Sequence, residues 1–139
     1  MSMSKSQFRW ILIGWLFLTF FSVSFEYIWP NPIANEAYDY VSDLEEEWTD
    51  TQVFVLFPLM SVAILMGIVS FVGLLLFKSW ARHLFTFGLV LSLCLYPWVG
   101  VVVIDSYSLL LSDLSTFLTA VILMLVYYSP VAAFYEYDT

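Results

Sequence analysis

Basic residues are what this chain has least of. Four Lys and Arg stand against twelve Asp and Glu in 139 residues, and there is one histidine and one cysteine. Lys5 and Arg9 lie near one end and Lys78 and Arg82 lie mid-chain, so no continuous stripe exists to track a phosphate backbone. A nucleic-acid partner is not expected. The lone Cys94 rules out an intrachain disulfide and a thiolate metal site. The lone His83 rules out paired axial histidines for a haem. Nucleophile-elbow glycines, a Walker loop, a dinucleotide fingerprint, His-Glu-x-x-His and Cys-x-x-Cys are all missing. No cofactor, bound metal or catalytic residue is therefore expected, and the chain does not read as an enzyme. One built from carboxylates alone would have no histidine beside them.

Charge of either sign is also scarce. Charged residues make up 12 % of the chain, hydrophobic ones 62 %, and the mean hydropathy is +0.89. A soluble domain carries about 25 % charged residues. The deficit implies a surface facing lipid, and the length implies one domain spanning 1–139. Four apolar runs follow one another, each near the roughly 20 residues that cross a bilayer. They predict helices over 8–28, 51–77, 83–104 and 110–133. The first could be mistaken for a secretory signal, with Ser22-Val23-Ser24 as a small-x-small cleavage pattern. It is long and aromatic for a signal, and the expectation is an uncleaved helix anchored by Trp10 and Trp29 and stopped by Pro30 and Pro32. Pro58 is expected to kink the second helix.

The segment 30–50 is the exception to the apolar pattern. It holds Glu36, Asp39, Asp43, Glu45, Glu46, Glu47 and Asp50 and no basic residue. Ala37, Val41, Leu44 and Trp48 recur at helical spacing, which predicts a short amphipathic outer helix with Asn35 as its N-cap. Val41, Leu44 and Trp48 form its candidate partner-facing stripe. The fold class is thus an all-α integral membrane protein, a four-transmembrane-helix bundle with this segment between helices 1 and 2.

Orientation follows from the basic residues. With four crossings, Lys5, Arg9, Lys78 and Arg82 all fall on one side, which the positive-inside rule makes cytoplasmic together with both termini. The central basic stretch, Lys78-Ser79-Trp80-Ala81-Arg82-His83, resembles the basic-aromatic cytoplasmic hairpin of many small bacterial membrane proteins. The expected location is accordingly a bacterial inner membrane. Ten of the twelve acids then lie outside. Among them, Glu26, Asp105 and Asp113 fall at outer helix ends and form a candidate cation or partner site, because ionisable groups near membrane depth usually face a partner, cavity or water. Ala63, Gly67 and Ser70 form a stripe of small residues expected to let helices approach closely. Ser115, Thr116, Thr119 and Ala120 cluster near the start of the last helix and are expected to hydrogen-bond across the bundle.

These readings point to a non-enzymatic partner of another membrane protein: an accessory subunit, an assembly factor or an immunity-type protein. The alternative is a homo-oligomeric channel or small transporter with an acidic, cation-attracting outer vestibule. Against it, the central third of every predicted helix lacks Asp, Glu, Lys, Arg and His, which coupled carriers usually need.

Overall fold

Ser4 sets the start of the first helix. Its hydroxyl accepts from the Gln7 amide at 3.2 Å, and the Gln7 side chain accepts from the Ser4 amide at 2.8 Å, a reciprocal cap that satisfies two otherwise unpaired donors. The computed structural model describes residues 3–44, 50–98 and 102–136, with side chains over 3–41, 53–98 and 102–136. Its helices are α1 (Lys5–Ile28), α2 (Pro32–Leu44), α3 (Asp50–Leu75), α4 (Ser79–Leu95) and α5 (Ser106–Tyr128), with 3₁₀ turns at Tyr96–Trp98 and Ala132–Tyr135. The described residues contain no strand.

Three helices are long and apolar enough to cross a membrane: α1, the stretch Val53–Leu75 of α3, and α5. Their most apolar windows are 6 %, 11 % and 17 % buried inside the protein. Such faces need an apolar solvent. Among the described residues the chain is therefore all-helical, and its three apolar helices are consistent with a multi-pass membrane protein.

The fourth expected crossing is shorter than predicted. Helix α4 has 17 residues and gives way at Tyr96 to a 3₁₀ turn holding Pro97, which cannot donate to the helical ladder; 102–105 is not helical. Against the predicted span 83–104, the α-helix ends at Leu95 and begins four residues earlier, at Ser79. The basic stretch is mostly helix as well, since only residues 76–78 form the turn and Ser79 to His83 open α4. The last helix runs over 106–128 rather than 110–133, because Ser129 and Pro130 end it. Pro58 lies inside α3.

The turn between α3 and α4 has a specific cause. The Lys78 amide donates to the Gly73 carbonyl at 2.9 Å and the Phe77 amide to the Leu74 carbonyl at 3.2 Å, with Phe77 at φ 58°. This is a Schellman ending, in which the left-handed residue is usually glycine. A phenylalanine there costs roughly 1–2 kcal/mol of backbone strain. Its ring offsets that cost. It packs against Phe8, Phe134 and Tyr135 at centroid distances of 6.0, 5.6 and 5.5 Å, and both the Lys5 ammonium and the Arg9 guanidinium lie 5.2 Å from it. Each such cation contact contributes about 0.5–1 kcal/mol or more when desolvated.

Around this ring sits the core: Phe8 and Leu12 of α1, Leu74 and Phe77, Ala81 and Phe85 of α4, Ile122 and Val126 of α5, then Val131 and Tyr135. All belong to the end of the bundle that carries the basic residues. Tyr135 is buried and donates its hydroxyl to the Leu74 carbonyl at 3.1 Å, tying the tail to α3. Elsewhere the helices go in pairs, α1 along α5 and α3 along α4. The pairs meet through this core and through Trp15, whose ring contacts Phe71 and Phe85. Beyond Trp15, towards the acidic end, no hydrogen bond or ring contact joins one pair to the other among the described residues.

Candidate functional site

A ladder of polar side chains runs along the seam between α1 and α5. The Trp15 indole donates to Thr119 Oγ1 at 2.8 Å, the Thr19 and Ser115 hydroxyls are 2.6 Å apart, and Ser22 donates to the Ser108 carbonyl at 3.2 Å. Positions 15, 19, 22 and 26 repeat at spacings of four, three and four, so one face of α1 presents every rung. In lipid such interhelical bonds contribute about 0.6 kcal/mol each on average. Ser115 and Thr119 cross the bundle as their types suggested. Thr116 points elsewhere and bonds back to the Ser112 carbonyl.

The last rung is the acidic one. The Asp105 amide donates to Glu26 Oε1 at 3.3 Å. One oxygen of the Asp105 carboxylate accepts from the Asn31 side chain at 3.0 Å, the other from the Tyr107 amide at 3.1 Å, which caps α5. Asn31 in turn caps α2, accepting from the Ile33 amide at 3.1 Å. Three helix ends are thereby locked together by Glu26, Asn31 and Asp105. The Asn31 hydrogen bond, helped by the amides of the first turn of α5 and opposed by burial, holds the Asp105 carboxyl below its ordinary range. Among the described residues no third acid, histidine or cysteine completes a group able to hold a metal ion.

Asp113 does not join them. It lies eight residues into α5 from Asp105, about 12 Å along the axis at 1.5 Å per residue, and it is exposed. The three acids assigned to one site by their place in the sequence are thus a pair built into the helix caps and a separate, unengaged carboxylate. The network's third member, Asn31, escaped the sequence reading, which placed the α2 cap at Asn35. The signal was present: an Asn followed by Pro is the pattern of an N-cap with proline at the first helical position.

The outer helix itself differs in register from the expected face. Ala34 and Val41 are its half-buried positions, while Ala37 is exposed. The Leu44 side chain and Trp48 lie outside the described residues.

The small-residue stripe is displaced too. A Cβ on Gly67 would meet no atom within 4 Å, and Ala63 lines an open groove of ≈ 270 Å³ with Met60, Ile64, Ser92, Leu95 and Tyr96. Ser70 is fully buried, its hydroxyl bonded to the Gly67 carbonyl. The close approach occurs further along α3, at Gly73, where a Cβ would stand 2.6 Å from the Ala81 Cβ. Helices joined by a tight turn are closest near that turn, and Gly73 is the glycine beside it.

Lys5, Arg9, Lys78 and Arg82 gather at the opposite end from Glu26 and Asp105. Besides its place over Phe77, Arg9 donates to the Leu75 carbonyl at 3.2 Å, and the Arg82 guanidinium lies 5.8 Å from the Tyr127 ring. His83 sits against the same tyrosine at 6.1 Å. No protein-family model, curated protein or solved structure matches this chain.

Proposed function

We propose that this protein is a non-enzymatic membrane partner, an accessory subunit, assembly factor or immunity-type protein that associates with another integral membrane protein. The reading places it in a bacterial inner membrane with α4 as a fourth crossing and both termini cytoplasmic, on the strength of the basic residues collected at one end. The observation that carries the functional part is the one-ended joining of the two helix pairs. The buried cluster that joins them lies in the basic half, and past Trp15 no hydrogen bond or ring contact links one pair to the other among the described residues. Trp15, Thr19, Ser22, Ser115 and Thr119 use their polar groups to pair α1 with α5. A bundle fastened at one end can admit a partner's helix at the other.

A second reading, a homo-oligomeric channel or small transporter, draws on the meeting of Glu26 with Asp105 at the acidic mouth. Affinity capture from native membranes in mild detergent separates the two. A stoichiometric heterologous membrane protein is the expected result. Recovery of a homo-oligomer alone would replace the first reading by the second.

A further inference from the structure

Helix α5 has two unlike faces. Ser108, Ser115, Ile122 and Val126 are buried against the rest of the protein. A half-turn away, Leu109, Leu110 and Phe117 are 48 %, 58 % and 68 % exposed, and Asp113 stands among them, exposed as well. At 100° per residue Asp113 lies about 140° around the helix from Ser108, well away from the α1 seam. It is six residues past Tyr107, about 9 Å further down a helix apolar enough to span a membrane.

Glu26 and Asp105 are answered by N–H donors inside the protein. Among the described residues Asp113 has no hydrogen bond or ion pair. A carboxylate at this depth, with Leu109, Leu110 and Phe117 beside it and Thr116 bonded back to its own helix, is expelled from hydrocarbon unless a cation or a polar cavity meets it.

We infer that the Asp113 face of α5 docks a transmembrane helix of a different protein, one that presents a Lys or Arg at matching depth. This rests on the membrane-partner reading above and names the chemistry of its contact. Charge complementarity selects the occupant. A second copy of this chain in the same orientation has nothing to offer, since all four of its basic residues sit at the other end. Asp113 is fifteen residues from Tyr128, about 22 Å along α5 from that end. Lys5 and Arg9 are in addition held over Phe77. Leu110 and Phe117, roughly one turn to either side, supply the apolar flanks that exclude water and lipid from the ion pair.

The test uses the full-length protein in its native membranes, with a photo-crosslinking residue at Phe117 and a control at Val72 on the exposed side of α3. The Phe117 position should crosslink to a membrane-embedded helix containing a Lys or Arg, and Val72 should not crosslink to that helix. Asp113→Asn should lower the yield by about tenfold or more, the scale on which truncating one member of a desolvated charge pair weakens a complex. Asp113→Glu should retain it. Asp113→Lys should abolish it, and exchange of the partner's basic residue for Asp should restore it. Because Asp113 makes no hydrogen bond or ion pair among the described residues, thermal unfolding of the solubilised Asp113→Asn protein should match that of the wild type. If a partner is captured equally by wild type and Asp113→Asn, the docking inference fails and the membrane-partner reading stands. If Phe117 crosslinks only to lipid or to a second copy, the inference is overturned as well. Absence of any heterologous partner in the wild-type capture overturns both.

Discussion

Exchanging Gly73 for alanine adds one carbon and tests how the α3–α4 hairpin is built. On the native backbone the new Cβ would lie 2.6 Å from the Ala81 Cβ, 2.8 Å from Trp80 Cη2 and 3.2 Å from Trp80 Cζ2. The indole is about half exposed and can swing aside. The Ala81 Cβ cannot, being fixed to the α4 backbone and fully buried. Relief needs the helices to part by roughly 1 Å, the gap between 2.6 Å and ordinary van der Waals contact of carbons near 3.5–4.0 Å. That movement pulls on the Lys78–Gly73 hydrogen bond of the turn and on Phe77, whose strained backbone is held by the core around it. Overpacking of this kind costs about 1–3 kcal/mol. Against it stands the better helix propensity of alanine, worth about 1 kcal/mol. Gly67→Ala in the same helix makes the same propensity gain with no atom within 4 Å. Comparing the two variants isolates the contact. In detergent, thermal unfolding should place Gly73→Ala below the wild type and Gly67→Ala at or above it. Equal midpoints for the two variants would refute the packing argument.

The Asp105 network predicts an acid sensitivity. The folded-state carboxyl lies below its ordinary value of 3.8, so its stabilisation is fully present above that value and is lost as pH falls through the folded one. Unfolding midpoints followed from about pH 6 to pH 3 should fall less steeply for Asn31→Ala than for the wild type, because Asn31 is the main cause of the shift; parallel curves would assign the acid sensitivity elsewhere. The proposed orientation is tested separately: a reporter fused after Thr139 should report the cytoplasm, and one inserted at Asn35 the outer side. The opposite result at either position would remove the assigned topology.

Much of the architecture is legible in one dimension because bilayer thickness fixes how long an apolar run must be and proline fixes where it stops. Helices near 8–28, 51–77 and 110–133 reappear as α1, α3 and α5 with shifted ends. The ends moved where capping outweighed hydropathy: Ser4 with Gln7 drew α1 outward by three residues, and Asp105 drew α5 into Ser106 and Tyr107. Helix α4 was overestimated because Val102, Val103 and Ile104 are as apolar as a span, yet Pro97 had already broken the ladder.

By itself the sequence determined that the chain is helical, that its helices are made for lipid, and that its few cations lie in two places four helices would bring together. These are properties of composition and spacing, which need no knowledge of rotation about a helix axis. Tertiary structure decided everything that depends on that rotation. It turned Ser115 towards α1 and Asp113 away from it, joined Glu26 to Asp105 through one amide, and chose Gly73 over Gly67 for the close approach of α3 and α4. Each successive residue turns 100° around a helix, so two acids equally placed along the chain can end on opposite faces, one spent on a cap and the other left facing outward.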